Sequence, residues 1–277
     1  AKAGVGVLGN VRGKAMLSNS ARNFKLMAIA SLCLSASLAL LPLAGDAFSI
    51  TVPAPQPTIE PALDRVQLEN LKTYDVIVFI DASHSMAITD CAGQSRWQWC
   101  QAQTKVLRDV LHVPLGNHLR MVAFSDNFKV YPDVEWGSVA GFFASNKPSG
   151  NTDMTKAIKS QLAQYFAARK ALAPGDRQRP LLIAMITDGL PDRPMALKET
   201  IIDATKQMND ADQLAITFLQ VGSDAKATKY LQELDECLVS HRAAHDIVKS
   251  KTFAEVNQVG LVSALLQSLS PPKVASN

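Results

Sequence analysis

The chain has 277 residues, 47% of them apolar, with 28 basic and 25 acidic side chains and a formal net charge of +3. That length suits one large α/β domain with extra segments, or two small domains, and either buries a substantial core. Residues 1–47 hold five Lys and Arg against one Asp, so the rest carries 23 basic and 24 acidic residues, about −1. It has no basic cluster interleaved with aromatics, so nucleic acid is not an expected partner.

In chain order, Arg22 and Lys25 precede an apolar run from Leu26 to Ala44, and Gly45 and Ala47 stand at −3 and −1 of a cleavage point before Phe48. This is the pattern of a secretory signal peptide. The run is also just long enough to span a bilayer, so an uncleaved membrane anchor is the competing reading of the 1–47 leader. Either way the body is expected outside the cytoplasm: periplasmic, secreted, or anchored and facing outward. The membrane is then a partner only through this segment. Ahead of Met16, Gly4, Gly6 and Gly9 have G-x-G-x-x-G spacing, but no strand precedes them, so no nucleotide site is expected.

A linker follows over 48–73, with four prolines in TVPAPQPTIEP (51–61) and a short helix over 62–71. The body spans 74–270 and a tail 271–277. Apolar runs predict buried parallel strands at 75–80, 118–124, 181–187 and 214–221, with a weaker one at 246–248. Helical patterns lie at 98–111, 152–170, 194–209, 225–234 and 253–269, the last stopped by Pro271 and Pro272. A turn at Asp126-Asn127 leads from the second strand into a short antiparallel edge strand. Together these predict an α/β, doubly wound, mostly parallel sheet with helices on both faces. Such sheets bind ligands beyond the carboxyl ends of their strands, where strand order reverses.

Cys91 and Cys100 flank AGQSRWQW, and in an oxidising compartment they most simply close a short loop as a disulfide. No metal-site cysteine spacing is present. Cys33 falls in the leader and Cys237 stands alone. Trp97 and Trp99 either meet a partner or pack on the first helix of the body.

Three segments at strand or loop ends carry hard oxygen donors. After the first strand comes DASHS, with Asp81, Ser83 and Ser85; SGNTDMTKAI places Thr152 at a helix start; ITDGLPD places Asp188 after a long strand. Parallel topology brings these ends together. Carboxylate and hydroxyl oxygens suit Mg²⁺, or Mn²⁺ or Ca²⁺. Two carboxylates and three neutral hydroxyls leave such a site short of negative charge, so it would favour an incoming carboxylate. Asp153 is an N-terminal helix residue or an outer acceptor, Asp192 caps the next helix, and Ser125-Asp126 form a turn.

In this order and placement, DASHS, GNT and TDG resemble the metal-ion-dependent adhesion site of the von Willebrand factor type A domain, over about 74–269. The resemblance implies that Ser83 and Ser85 coordinate the cation directly. Thr152 would do so in the ligand-competent state, and Asp81 and Asp188 directly or through water. A partner's Asp or Glu would complete the shell, and movement of the last helix is often coupled to that event. His84 departs from the family, where a small residue is common.

The expected function is therefore partner binding without catalysis. A metal-dependent hydrolase or phosphotransferase using Asp81 is the rival, but such chemistry wants a second carboxylate at 83, where serine stands. An extracytoplasmic assembly or chaperone role is a further form of binding. No nucleophile elbow or triad is present.

Overall fold

The computed structural model describes residues 65–115 and 118–269. The leader, most of the linker and the tail lie outside the described residues. Helix α1 (Arg65–Leu71) leads into strand β1 (Asp75–Asp81), then a 3₁₀ turn (His84–Ala87) and a two-stranded hairpin of β2 (Thr89–Cys91) and β3 (Gln94–Ser95). Helix α2 (Arg96–Leu115), the antiparallel pair β4 (His118–Phe124) and β5 (Phe128–Glu135), and helices α3 (Val139–Ser145) and α4 (Met154–Lys170) follow. The chain then alternates through β6 (Leu181–Thr187), α5 (Pro194–Thr205), β7 (Leu214–Gln220), α6 (Ala225–Cys237) and β8 (Val248–Lys251), and closes with α7 (Phe253–Val259) and α8 (Leu261–Gln267).

The main sheet runs β5-β4-β1-β6-β7-β8, parallel throughout except where β5 pairs antiparallel to β4. This is the expected α/β architecture. The edge strand β5 is longer than expected, eight residues, largely solvent-facing and carrying Pro132, which suits it to an edge without a further neighbour.

Alternation along each strand divides the apolar side chains between two layers. Val78, Ile80, Met121, Leu182 and Ile186 face α1, α2, α3, α7 and α8, whereas Ile77, Phe79, Phe124, Met185 and Phe218 face α4, α5 and α6. Each fully buried side chain of this size contributes about 1.5–3 kcal/mol. β6 is buried at all seven positions, as a central strand covered on both faces must be.

Several boundaries differ from the sequence reading: α2 runs from Arg96 to Leu115, α5 ends at Thr205, α6 runs on to Cys237 and β8 spans Val248–Lys251. α4 starts at Met154, because the Asp153 side chain caps it by accepting from Lys156 N. The last helical pattern breaks at Gly260, whose φ of 81° ends α7 before α8 begins. α3, in VAGFFAS, was not foreseen. Among the described residues no helix is long and apolar enough to cross a membrane.

Candidate functional site

Strand order reverses at β1: the chain leaves it for β4 on one side and later returns to β6 on the other. Since β1 and β6 are direct neighbours, their carboxyl ends bring Asp81 and Asp188 together. Asp81, the last residue of β1, is fully buried. Its Oδ1 accepts from Ser83 N at 2.8 Å and its Oδ2 accepts from the Thr187 hydroxyl at 2.6 Å. The first bond closes an Asx-type turn that carries the chain out of the sheet. Ser83 Oγ and Ser85 Oγ then lie 3.1 Å apart, and Ser85 Oγ donates to Asp188 Oδ1 at 3.0 Å.

The third segment docks on this turn through its backbone. Ser149 N donates to Ala82 O at 2.8 Å and His84 N donates to Gly150 O at 3.0 Å. Gly150 has a φ of 75°, and a Cβ there would collide with the Asp126 carboxylate, so the position needs glycine. Asp126 in turn accepts from Asn151 N at 3.0 Å and from Asn151 Nδ2 at 2.8 Å. Thr152, buried, is gripped by Asp192 at both backbone groups: Thr152 N donates to Asp192 Oδ1 at 3.1 Å and Asp192 N donates to Thr152 O at 3.0 Å. Hydrogen bonds thus join Asp81, Ser83, Ser85 and Asp188, and the loop that carries Thr152 docks on the same turn through Ser149 and Gly150. The His84 ring is exposed, and its backbone N–H performs the clamping. Asp153 pairs with Arg193 at 2.7 Å and with Lys156 at 3.2 Å. Burial raises its carboxyl, but these cations outweigh that and hold it below its ordinary value.

One group at the site was not foreseen. Arg96 opens α2 with only 8% of its surface exposed, and its Nη1 donates to Asp188 Oδ2 at 2.7 Å. The rest of the guanidinium forks onto Asp90, with Nε donating at 3.0 Å and Nη2 at 2.6 Å. Gly222, at a φ of 73° just after β7, makes the slot: a Cβ there would stand 2.5 Å from Arg96 Nε. The Arg96 hydrogen bonds hold the Asp90 carboxyl below its ordinary value, and Asp90 in turn raises the guanidinium. At Asp81, burial and then the neighbouring Asp188 push the carboxyl up to about 7, against the hydrogen bonds from Thr187 and Ser83.

The expected disulfide is not formed: Cys91 and Cys100 are buried free thiols. Cys91 ends β2 just before the Ala92-Gly93 turn, and Cys100 lies in α2; both serve as small apolar fillers of the layer under the site. Burial raises both thiols, Cys91 to about 11 with help from Asp90 and Cys100 well above its ordinary value with help from Asp81. Trp97 and Trp99 resolve to packing. Trp97 meets Phe143 edge-on at 4.8 Å and Trp99 meets Phe253 at 5.4 Å, each less than a tenth exposed.

Sequence reasoning also missed Thr187 and Gly222, and it gave Asp126 and Asp192 only turn or capping roles. Thr187 was signalled by its place beside Asp188 at a strand end. Arg96 was signalled as the sole charge in the segment from Cys91 to Cys100. Among the described residues no group of three or more His, Cys, Asp or Glu side chains is placed to hold a metal, so hydroxyls would have to supply part of any cation shell here.

No family model matches the chain, and no curated protein matches it. Among solved structures it is similar to the manganese-loaded TRAP protein of Plasmodium vivax, at 17% identity over 70% of this chain and 73% of that one, with a TM-score of 0.45. It is similar to the PilB minor pilin from Streptococcus sanguinis at 12% identity over 69% of this chain and 58% of the pilin, TM-score 0.45. Proximal thread matrix protein 1 from the mussel byssus matches at 17% identity over 70% of this chain and 46% of its own, TM-score 0.44. The chain spans less than two thirds of the latter two proteins. At these identities and scores the likenesses carry nothing about ligand or partner.

Proposed function

We propose that this chain is an exported von Willebrand factor type A domain that binds a protein partner through a divalent cation. Asp81, Ser83, Ser85, Thr152 and Asp188 would hold Mg²⁺, or Mn²⁺ or Ca²⁺ in its place, and a partner Asp or Glu would complete the shell. The leader pattern in residues 1–47 supports export.

The observation that carries this reading is the spacing of the oxygens. Neighbouring ligands of an octahedron with bonds of about 2.1 Å stand about 3.0 Å apart. Ser83 Oγ to Ser85 Oγ is 3.1 Å and Ser85 Oγ to Asp188 Oδ1 is 3.0 Å, so these three oxygens have the separations of adjacent ligands. The donors are hard oxygens, which fits the cation class. When bound, the cation supplies a positive charge that attracts a carboxylate. The chain's own part is to hold these oxygens still, through the Asp81 turn, the Thr187 hydroxyl and the Asp192 grip on Thr152.

The phosphotransferase rival wants a second carboxylate two residues after Asp81 as general acid, and Ser83 stands there. In the test, Mg²⁺ or Mn²⁺ raises the melting temperature of the protein relative to EDTA, and Asp81→Ala abolishes the rise. Partner proteins retained on the immobilised protein are released by EDTA and lost with Thr152→Ala. An equal thermal response in Asp81→Ala, or retention indifferent to EDTA, removes the assignment.

A further inference from the structure

The Arg96 guanidinium is a fixed positive charge inside the cluster proposed to hold a cation, and the fold has made a place for it. Three features are independent of one another. Its Nη1 holds Asp188 Oδ2 at 2.7 Å, leaving Oδ1 to Ser85. Asp90 grips the other side of the fork, which fixes the plane of the guanidinium. Gly222, with positive φ, leaves the space that any side chain would close.

A buried Arg–carboxylate pair of this kind has two effects. Asp188 loses its freedom to rotate, so Oδ1 is presented toward the serine hydroxyls. The one guanidinium is shared by Asp188 and Asp90, so these three groups together carry one negative charge in place of two, and an incoming cation meets less negative charge than the carboxylates alone would present. Divalent cations respond steeply to such charge, because Coulomb energy scales with the product of the charges.

We infer that Arg96 is a positioning and affinity-setting residue of the cation site, which orients Asp188 while weakening divalent-cation binding, so that firm binding waits for a carboxylate from the partner. This rests on the cation-binding reading above. The two strongly charged neighbours of Asp188 are then Arg96 and Asp81, and the rest of the guanidinium is held by Asp90.

The test uses the full chain with Mn²⁺ alone as probe, followed by titration calorimetry and by the paramagnetic signal of free Mn²⁺. Arg96→Gln, which keeps hydrogen-bonding capacity and removes the charge, is expected to bind Mn²⁺ about tenfold or more tightly than wild type. Arg96→Lys, which keeps the charge, is expected to stay near wild type. In EDTA, Arg96→Gln is expected to melt lower than wild type, because Asp188 is left buried without its counter-charge, and saturating Mn²⁺ is expected to restore it. Equal or weaker Mn²⁺ binding by folded Arg96→Gln, beside measurable binding by wild type, overturns the inference and leaves the cation site standing. Binding by neither protein overturns both. A melting deficit that Mn²⁺ does not repair assigns Arg96 to structure alone and also overturns it.

Discussion

The hydroxyl of Thr187 donates to Asp81 Oδ2 at 2.6 Å, and so ties the last residue of β6 to the last residue of β1 at the point where the serine turn begins. Both side chains are wholly buried, so neither can exchange this bond for water. Thr187→Val keeps the shape and removes the donor. It is expected to destabilise the fold by about 1–3 kcal/mol at pH 8, with Thr187→Ser recovering most of the loss, as read from urea denaturation.

Asp81 makes stability depend on pH in a direction unusual for a carboxylate. Burial and Asp188 raise its carboxyl from an ordinary 3.8 to about 7 in the folded chain. The folded protein therefore keeps a proton that the unfolded chain releases, and the contribution is full below about pH 4 and is lost as pH rises through about 7. Without metal, the melting temperature of wild type is expected to fall across this window relative to Asp81→Asn, which cannot titrate. A bound divalent cation favours the ionised form, so Mn²⁺ is expected to remove that difference. Paired melting curves between pH 4 and 8, in EDTA and in Mn²⁺, check both statements.

Gly222→Ala places a Cβ 2.5 Å from Arg96 Nε on a backbone with a φ of 73°. The expected cost is about 1–3 kcal/mol from strain and displacement of the guanidinium. Because part of that cost is the lost Arg96 pairing, Arg96→Ala is expected to cost less in the Gly222→Ala background than alone. A double-mutant cycle by chemical denaturation reads the difference, and strictly additive costs would place Gly222 apart from Arg96.

Burial keeps the Cys91 thiol up at about 11 and that of Cys100 well above its ordinary value. Since the thiolate is the reactive form, iodoacetamide at pH 8 is expected to leave both unmodified in the folded protein. Under denaturing, non-reducing conditions both are expected to alkylate, which peptide mass spectrometry detects; resistance there would mean that the pair is oxidised.

The central sheet was legible because its strands are short continuous apolar runs, and β6, buried at every position, is the clearest of them. From that alternation of strands and helices came the reversal point, and from the reversal point the meeting of Asp81 and Asp188. The turn after β1 was legible by itself only as a strand leaving its sheet through polar residues; it pointed to a cation site once Thr152 and Asp188 were read with it. Less was visible where periodicity is weak or a single glycine decides. The seven residues of α3 are too few to show a helical face, and the break at Gly260 depends on one dihedral angle.

The sequence by itself determined the layers and the end of the sheet where the oxygen donors gather, because strand order and hydrophobic period are written locally along the chain. Only the tertiary structure decided what stands among those donors. Arg96 meets Asp188 across 92 residues of chain, in a slot that exists because Gly222 lacks a side chain, and no local pattern encodes that meeting. The same holds for Cys91 and Cys100, whose spacing suggested a bond but whose burial under the site leaves them as free thiols. Contacts of this kind depend on how packed layers close on one another, and that is settled by side-chain volume and backbone shape in three dimensions.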